Sequence, residues 1–151
     1  PNNQQLYRNL FSRADLVLVL SEQWRRWIKD ALVLTEHIEV LYNPCPNVEQ
    51  KPELKQKEIL FAGTVIPRKG YADLIRGFAK ITTKHIDWKV VIAGNGEIDK
   101  AKAIAKECGI EKQVEFLGWV SGEAKALAFQ RASIYCLASD GEGFPGKTHR
   151  E

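Results

Sequence analysis

The run Ser139-Asp140-Gly141-Glu142-Gly143-Phe144-Pro145-Gly146-Lys147-Thr148 carries two incompatible chemistries. Counted from Gly141 it fits Gly, four residues, Gly, Lys, Thr, the spacing of a P-loop, which wraps a nucleotide's phosphates in backbone N–H groups; that would make the chain an ATPase or kinase. Counted from Asp140 it is an acidic, glycine-rich turn just after an apolar strand, offering the Glu142 carboxylate as an acceptor. The first chemistry meets poor conditions here. Pro145 removes a needed donor, three residues separate the expected strand from Gly141, and only His149, Arg150 and Glu151 remain to make the helix that must follow Thr148.

Three other segments could face a ligand. Gly63-Thr64-Val65-Ile66-Pro67-Arg68-Lys69-Gly70 is a glycine-bounded turn that delivers two cations to the start of a helix. The helix start supplies N–H donors and partial positive charge, Arg68 and Lys69 add full charges, and the sum suits a diphosphate; the same turn also fits two cations pointing at water. Ala93-Gly94-Asn95-Gly96-Glu97 permits close backbone approach to a ligand, or simply a left-handed turn before a helix. In Gly118-Trp119-Val120-Ser121 a backbone edge could read a base, with Ser121 as an N-cap, or Trp119 merely covers the sheet edge.

These loops need elements to hold them. Leu16 to Leu20 is a continuous apolar run, read as a strand covered on both faces. Ser21 then caps a helix from Glu22 to Lys29 whose Trp24, Trp27 and Ile28 form one apolar stripe, with Arg25, Arg26 and Lys29 in solvent. Ile38 to Leu41 reads as a short strand, and the polar, proline-containing stretch 44–57 as a linker. Beyond it a regular alternation is expected: strand 58–62, helix 70–82, strand 88–93, helix 97–108, strand 114–117, helix 122–131 and strand 133–137. Leu74, Ile75, Phe78 and Ile81 share one helix face, as do Ile98, Ala101, Ile104 and Ala105. Strands alternating with helices of this size imply a parallel sheet with right-handed crossovers, whose ligands bind at the carboxyl ends of the strands.

Composition narrows the classes. With 44% hydrophobic and 27% charged residues the balance is that of a globular protein, and the longest apolar run is far too short to span a bilayer. A net charge of +3, from 22 basic and 19 acidic residues spread along the chain, allows an anionic ligand but provides no basic tract for nucleic acid. Cys45, Cys108 and Cys136 are odd in number and widely spaced, with only His37, His85 and His149 beside them; this argues for thiols in a reducing cytoplasm rather than disulfides or a zinc site. A chain of 151 residues that opens on Pro1, contains no Met and stops three residues after Thr148 is expected to be part of a longer protein.

Taken in order, the four loops resemble those of the family 4 retaining glycosyltransferases, which have the two-domain GT-B fold. That family's second domain opens with a strand and a Gly-Arg-Leu…Lys-Gly turn, similar to Phe61-Ala62-Gly63 through Lys69-Gly70. It continues with an apolar strand ending in Ala-Gly-x-Gly, similar to Val90 through Gly96, then Phe-Leu-Gly-x-Val, similar to Phe116 through Val120. An Ala-Asp strand and Glu-Gly-Phe-Pro follow, similar to Ala132 through Pro145. Upstream, Ala14 to Ser21 is similar to the last strand of the family's N-terminal domain, and Leu41-Tyr42-Asn43-Pro44 to its crossover.

The resemblance implies an α/β fold, a Rossmann-like parallel sheet with flanking helices forming a partial GT-B. Residues 1–43 would be the end of the acceptor-side domain, 44–57 the linker and 58–151 an incomplete nucleotide-sugar-binding domain, inactive alone. It implies transfer of a sugar from a UDP- or GDP-linked donor to a glycan or lipid-linked acceptor in polysaccharide biosynthesis. No bound metal, cofactor or nucleic acid is implied; the setting would be cytoplasmic, with peripheral contact at the inner face of a membrane made by the N-terminal domain. Lys69, beside Arg68, would contact the donor's diphosphate; Gly63, Thr64 and Gly94 would approach the donor; the backbone of Trp119 and Val120 would lie against the base. Glu142, with Gly143 and Phe144, would face the donor sugar, Glu142 as the catalytic candidate. A non-catalytic nucleotide-binding domain using the same loops is the other reading. Two positions depart from the family: Thr64 stands where it has Arg, and Arg150 where it has a ribose-binding Glu, with Glu151 one residue, about 100° of helix, too late.

Overall fold

The computed structural model describes residues 4–32, 37–44 and 52–140. They belong to two compact units, the first drawing on residues 4–44 and the second on 52–140.

In the first unit, strands β1 (Val17–Val19) and β2 (Ile38–Val40) pair in parallel, with helices α1 (Gln4–Phe11) and α2 (Glu22–Leu32) beside them. Val17, Val19, Ile28, Leu32 and Ile38 form its core. The Ser21 hydroxyl accepts from the Trp24 N–H at 3.2 Å, as an N-cap should. The expected apolar stripe of α2 is corrected. The helix runs one turn further, to Leu32, and its buried face follows Ile28 and Leu32, spaced i and i+4; that rotates Trp24 and Trp27 outward, where they meet edge to face at 5.4 Å. Arg25 is half-buried rather than in solvent and pairs with Glu22 at 3.4 Å. Helix α1 had no counterpart in the sequence reading; the Arg8 guanidinium ties it to the Leu32 carbonyl at 3.0 Å.

The second unit is a parallel sheet of β3 (Gln56–Ala62), β4 (Lys89–Ala93), β5 (Val114–Gly118) and β6 (Ala132–Tyr135), in the order β5-β4-β3-β6. Helices α3 (Tyr71–Ala79) and α4 (Ile98–Glu107) cover one face, and α5 (Gly122–Arg131) the other. The period of two in β3 and β4 sorts the side chains. Phe61, Val90 and Ile92 pack with Ile75, Phe78, Ala101 and Ala105, while Leu60, Val91 and Ala93 pack with Ala128. Phe61, Leu60, Ile75, Ile92, Val65 and Val90 are fully buried, each contributing about 1.5–3 kcal/mol.

Several boundaries move. The last residues of the expected linker are structured: Pro52–Leu54 is a 3-10 turn, and β3 begins at Gln56, where polar side chains stay in solvent while the backbone pairs with Ala132 of β6. Helix α3 ends at Ala79, leaving Ile81 exposed and off the buried face. β6 ends at Tyr135, although the Cys136 N–H still reaches the Leu60 carbonyl at 2.9 Å. Cys108 and Cys136 are half-buried free thiols; Cys45 lies outside the described residues.

Candidate functional site

From β3 the chain adds β4 and β5 outward on one flank, then returns through α5 to lay β6 on the other flank of β3. The order of the sheet reverses there. In open α/β sheets the crevice beyond the strands' carboxyl ends at such a reversal is where ligands bind. The loops that meet there follow β3 and β6, and they are in contact. The Asp140 N–H donates to the Arg68 carbonyl at 2.9 Å, and a Cβ on Gly70 would run into the Ala138 carbonyl. Gly70 also has φ 71°, so the close passage of the β6 loop over the start of α3 depends on glycine.

The loops after β3, β4 and β5 are joined by main-chain hydrogen bonds that continue the sheet past its strands. Gly63 N–H donates to Ala93 O at 3.0 Å, Gly94 N–H to Gly118 O at 2.7 Å, Val65 N–H to Asn95 O at 2.8 Å and Glu97 N–H to Val65 O at 2.7 Å. Gly94, at φ 158°, lies so near Gly63 that any Cβ would strike the Gly63 carbonyl oxygen. The platform is therefore joined chiefly through its backbone.

On the α5 side of this platform lies a cavity of about 490 Å³. Its wall is Ala62, Gly63 and Thr64 after β3, Ala93 at the end of β4, Trp119 to Gly122 after β5, Lys125 and Phe129 on α5, and Tyr135 at the end of β6. Four expected residues, Gly63, Thr64, Trp119 and Val120, thus line one space. Trp119 is 69% exposed, so most of its ring is not packed on the sheet edge. Sequence reasoning missed Lys125, Phe129 and Tyr135. Phe129 and Tyr135 stack at 5.4 Å, and the Tyr135 hydroxyl donates to the Ala62 carbonyl at 3.4 Å. Their meeting beside the cavity, on a helix and a strand that bury only Ala128 and Ala132, is a three-dimensional property with no signal in the residue pattern. Ser121 occupies the N-cap position of α5, but its side chain makes no capping bond.

Arg68 and Lys69 do not line the cavity. They ride a 3-10 turn, Pro67–Lys69, on the α3 side of the platform, against the loop that leads from β6 to Glu142. Just beyond it the buried Tyr71 hydroxyl donates to Glu97 Oε2 at 3.0 Å, and Lys100 reaches Glu97 Oε1 at 2.8 Å. Lys100 first and Tyr71 second hold the Glu97 carboxyl below its ordinary range, while burial, then Glu97, pushes the Tyr71 phenol up. Glu142, Gly143, Phe144 and the whole run Gly141 to Thr148 lie outside the described residues. Among the described residues no group of three or more His, Cys, Asp and Glu comes together to hold a metal, and no helix is long and apolar enough to cross a membrane.

The family described as Glycosyl transferases group 1 matches residues 47–147, about two thirds of the chain. The chain belongs to the group 1 glycosyltransferases. This family assignment overturns the ATPase or kinase reading of Gly141 to Thr148. The strand evidence agrees, since five residues separate the end of β6 from Gly141. Among similar group 1 enzymes, the Campylobacter jejuni N-acetylgalactosamine-N,N'-diacetylbacillosaminyl-diphospho-undecaprenol 4-alpha-N-acetylgalactosaminyltransferase is 33% identical over 150 residues, covering 94% of this chain and 40% of that enzyme. The phosphatidyl-myo-inositol mannosyltransferase of Mycobacterium tuberculosis is 28% identical over 131 residues, 82% of this chain and 34% of its own length. The apo form of the lipopolysaccharide outer core galactosyltransferase WaaB superposes with TM-score 0.69 at 28% identity, covering 89% of this chain and 39% of that one. The fold is that of the GT-B glycosyltransferases. The present group 1 chain spans about two fifths of the length of its first curated relative.

Proposed function

We propose that this chain is the donor-binding part of a retaining glycosyltransferase that moves a sugar from a UDP- or GDP-linked donor to a glycan or lipid-linked acceptor. One observation carries the reading. A 490 Å³ cavity at the carboxyl end of the sheet is walled in part by Gly63, Thr64 and Trp119 to Gly122, and the platform that forms it also carries the cationic Arg68-Lys69 turn. In this reading the cavity takes the nucleoside, Trp119 and Val120 meeting the base. Gly63, Thr64 and Gly94 let the donor pass close to the backbone, and Lys69 with Arg68 faces the diphosphate. Negative charge grows on that diphosphate as the glycosidic bond breaks. A fixed cation and the α3 start stabilise it without a metal, while Glu142, Gly143 and Phe144 face the sugar and its oxocarbenium-like charge.

Two named relatives favour a lipid-linked acceptor: one acts on a diphospho-undecaprenol, the other on phosphatidyl-myo-inositol. Anabaena HepE, similar at TM-score 0.74 and 17% identity over 91% of this chain and 42% of its own, is known in complex with UDP. We place the reaction at the cytoplasmic face of a membrane, where such acceptors present their head groups. Calorimetric titration of the chain with UDP, GDP and ATP, with EDTA or with magnesium, tests the proposal. Binding of UDP or GDP that survives EDTA is the expected result, and binding of ATP alone, only with magnesium, would sink it. An intact protein that binds nucleotide sugar but never releases nucleoside diphosphate would instead favour the non-catalytic domain.

A further inference from the structure

We propose that Tyr71 and Glu97 form a clasp that fixes the cationic turn Pro67–Lys69 in place for a diphosphate, which makes both of them positioning residues; this rests on the nucleotide-sugar reading above. Both ends of the segment that carries Arg68 and Lys69 are anchored to the same tripeptide, Asn95-Gly96-Glu97. Upstream, Val65 exchanges backbone hydrogen bonds with it, donating to Asn95 O at 2.8 Å and accepting from Glu97 N–H at 2.7 Å, with Val65 itself fully buried. Downstream, Tyr71 is the first residue of α3, 3% exposed, and its hydroxyl donates to Glu97 Oε2 at 3.0 Å. Between the two anchors the turn has short-range bonds of its own, Lys69 N–H to Ile66 O and Gly70 N–H to Pro67 O, each 2.9 Å, and the Arg68 carbonyl accepts from Asp140 N–H at 2.9 Å.

A buried phenol needs a partner. Tyr71 finds it 26 residues away in the loop after β4, on a carboxylate whose other oxygen is held by Lys100 at 2.8 Å. The effect is to tie the first turn of α3 to the platform just where Lys69 and Gly70 enter it. Without the hydroxyl the upstream anchor and the contact with the β6 loop remain, so the sheet and its core are expected to survive while the end of the turn and the start of α3 loosen against the platform.

The clasp is tested with Tyr71→Phe, which removes one oxygen, Glu97→Ala, which removes the acceptor, and Glu97→Gln, which restores an acceptor without the charge. In the full chain, amide hydrogen exchange at Lys69 and Gly70 is expected to rise about threefold to tenfold in Tyr71→Phe and Glu97→Ala, the worth of one buried hydrogen bond. Exchange at Phe61, Val91 and Ile92 should stay unchanged, and Glu97→Gln should recover most of the protection. UDP affinity should fall by a similar factor, uridine affinity not at all. Unchanged exchange at Lys69 and Gly70, or a rise spread evenly through β3 and β4, would overturn the clasp, as would equal losses for UDP and uridine. If the wild-type chain binds no nucleoside diphosphate, the donor-site reading fails on its own, and the exchange experiment still decides whether the clasp exists.

Discussion

At the amino end of the four-stranded sheet Glu58, its side chain 3% exposed, is held by Arg131 at 2.6 Å and Lys89 at 3.2 Å, and Lys89 reaches Glu115 at 2.5 Å. Lys55 donates to the Ala132 carbonyl at 2.6 Å and Arg131 to Gln56 at 3.2 Å. At the carboxyl end the strands are joined instead by main-chain bonds between Gly63, Val65, Gly94, Asn95, Glu97 and Gly118, and side chains such as Thr64, Trp119 and Lys125 stand exposed around a cavity. One end is knit mainly by charged side chains paired with one another; the other is joined mainly by backbone, with Tyr71, Glu97 and Lys100 tied at its α3 side, and leaves the side chains around the cavity exposed. The hydrogen bond that Lys89 donates to Glu115 is the largest cause of its raised pKa; burial works against it and the bond to Glu58 adds to it. That pairing therefore stabilises the fold below the ordinary lysine value of 10.5 and is lost only as pH climbs through the raised value.

The difference breaks most violently at Gly94. An alanine there would drive its methyl into the Gly63 carbonyl at a backbone φ of 158°, so Gly94→Ala should part the loops after β3 and β4. We expect a loss of about 3 kcal/mol or more in denaturant unfolding, together with loss of UDP binding, because backbone geometry is both the structure and the site at this end. Retained stability and retained binding would show that the platform yields more easily than its hydrogen bonds suggest.

Next in size is Glu58→Ala at the opposite end. It leaves Arg131 and Lys89 without their buried partner, but both cations are about a third exposed, at 32% and 35%, and keep Gln56 and Glu115. The cost is accordingly about 2 kcal/mol rather than the larger figure for a fully buried pair. UDP affinity of the folded protein should not change. Equal damage to stability and binding would mean that the two ends are energetically coupled.

Much of this was legible beforehand, for identifiable reasons. Apolar runs and helical spacing locate β3, β4, α3 and α4 because these elements are buried against each other and their pattern records it; α5 and β6 bury only Ala128 and Ala132 and are legible from the alternation of strands and helices. Glycines that bound loops after strands recorded the platform in the same way. The failures have one physical cause. The spacing puts Trp24 and Trp27 on the apolar stripe of α2 with Ile28, but apolar spacing does not say which of two adjacent stripes is covered, and Ile28 with Leu32 decides it. Lys125, Phe129 and Tyr135 belong to the cavity only because α5 crosses the sheet where it does, and β6 lands beside β3 rather than beyond β5. Strand order is set by pairings far apart in sequence, and no local pattern carries it.

The smallest effect separates the two ends most sharply, because it should touch binding and not stability. Lys69→Ala removes a cation from the turn beside the β6 loop, and Lys112→Ala removes an exposed one at the amino end, where it lines a second hollow with Gln113 and Trp88. Both should leave unfolding free energy within about 0.5 kcal/mol of wild type, as surface substitutions do. Only Lys69→Ala should weaken UDP, by about tenfold, with uridine unaffected, since a single charge-assisted contact to phosphate is worth about that much. The tenfold gap should narrow in high salt, because the charge on the turn is partly screened. Equal losses from the two lysines would mean that UDP senses only the net positive charge of the chain. The backbone-built end would then have no privileged claim to the ligand.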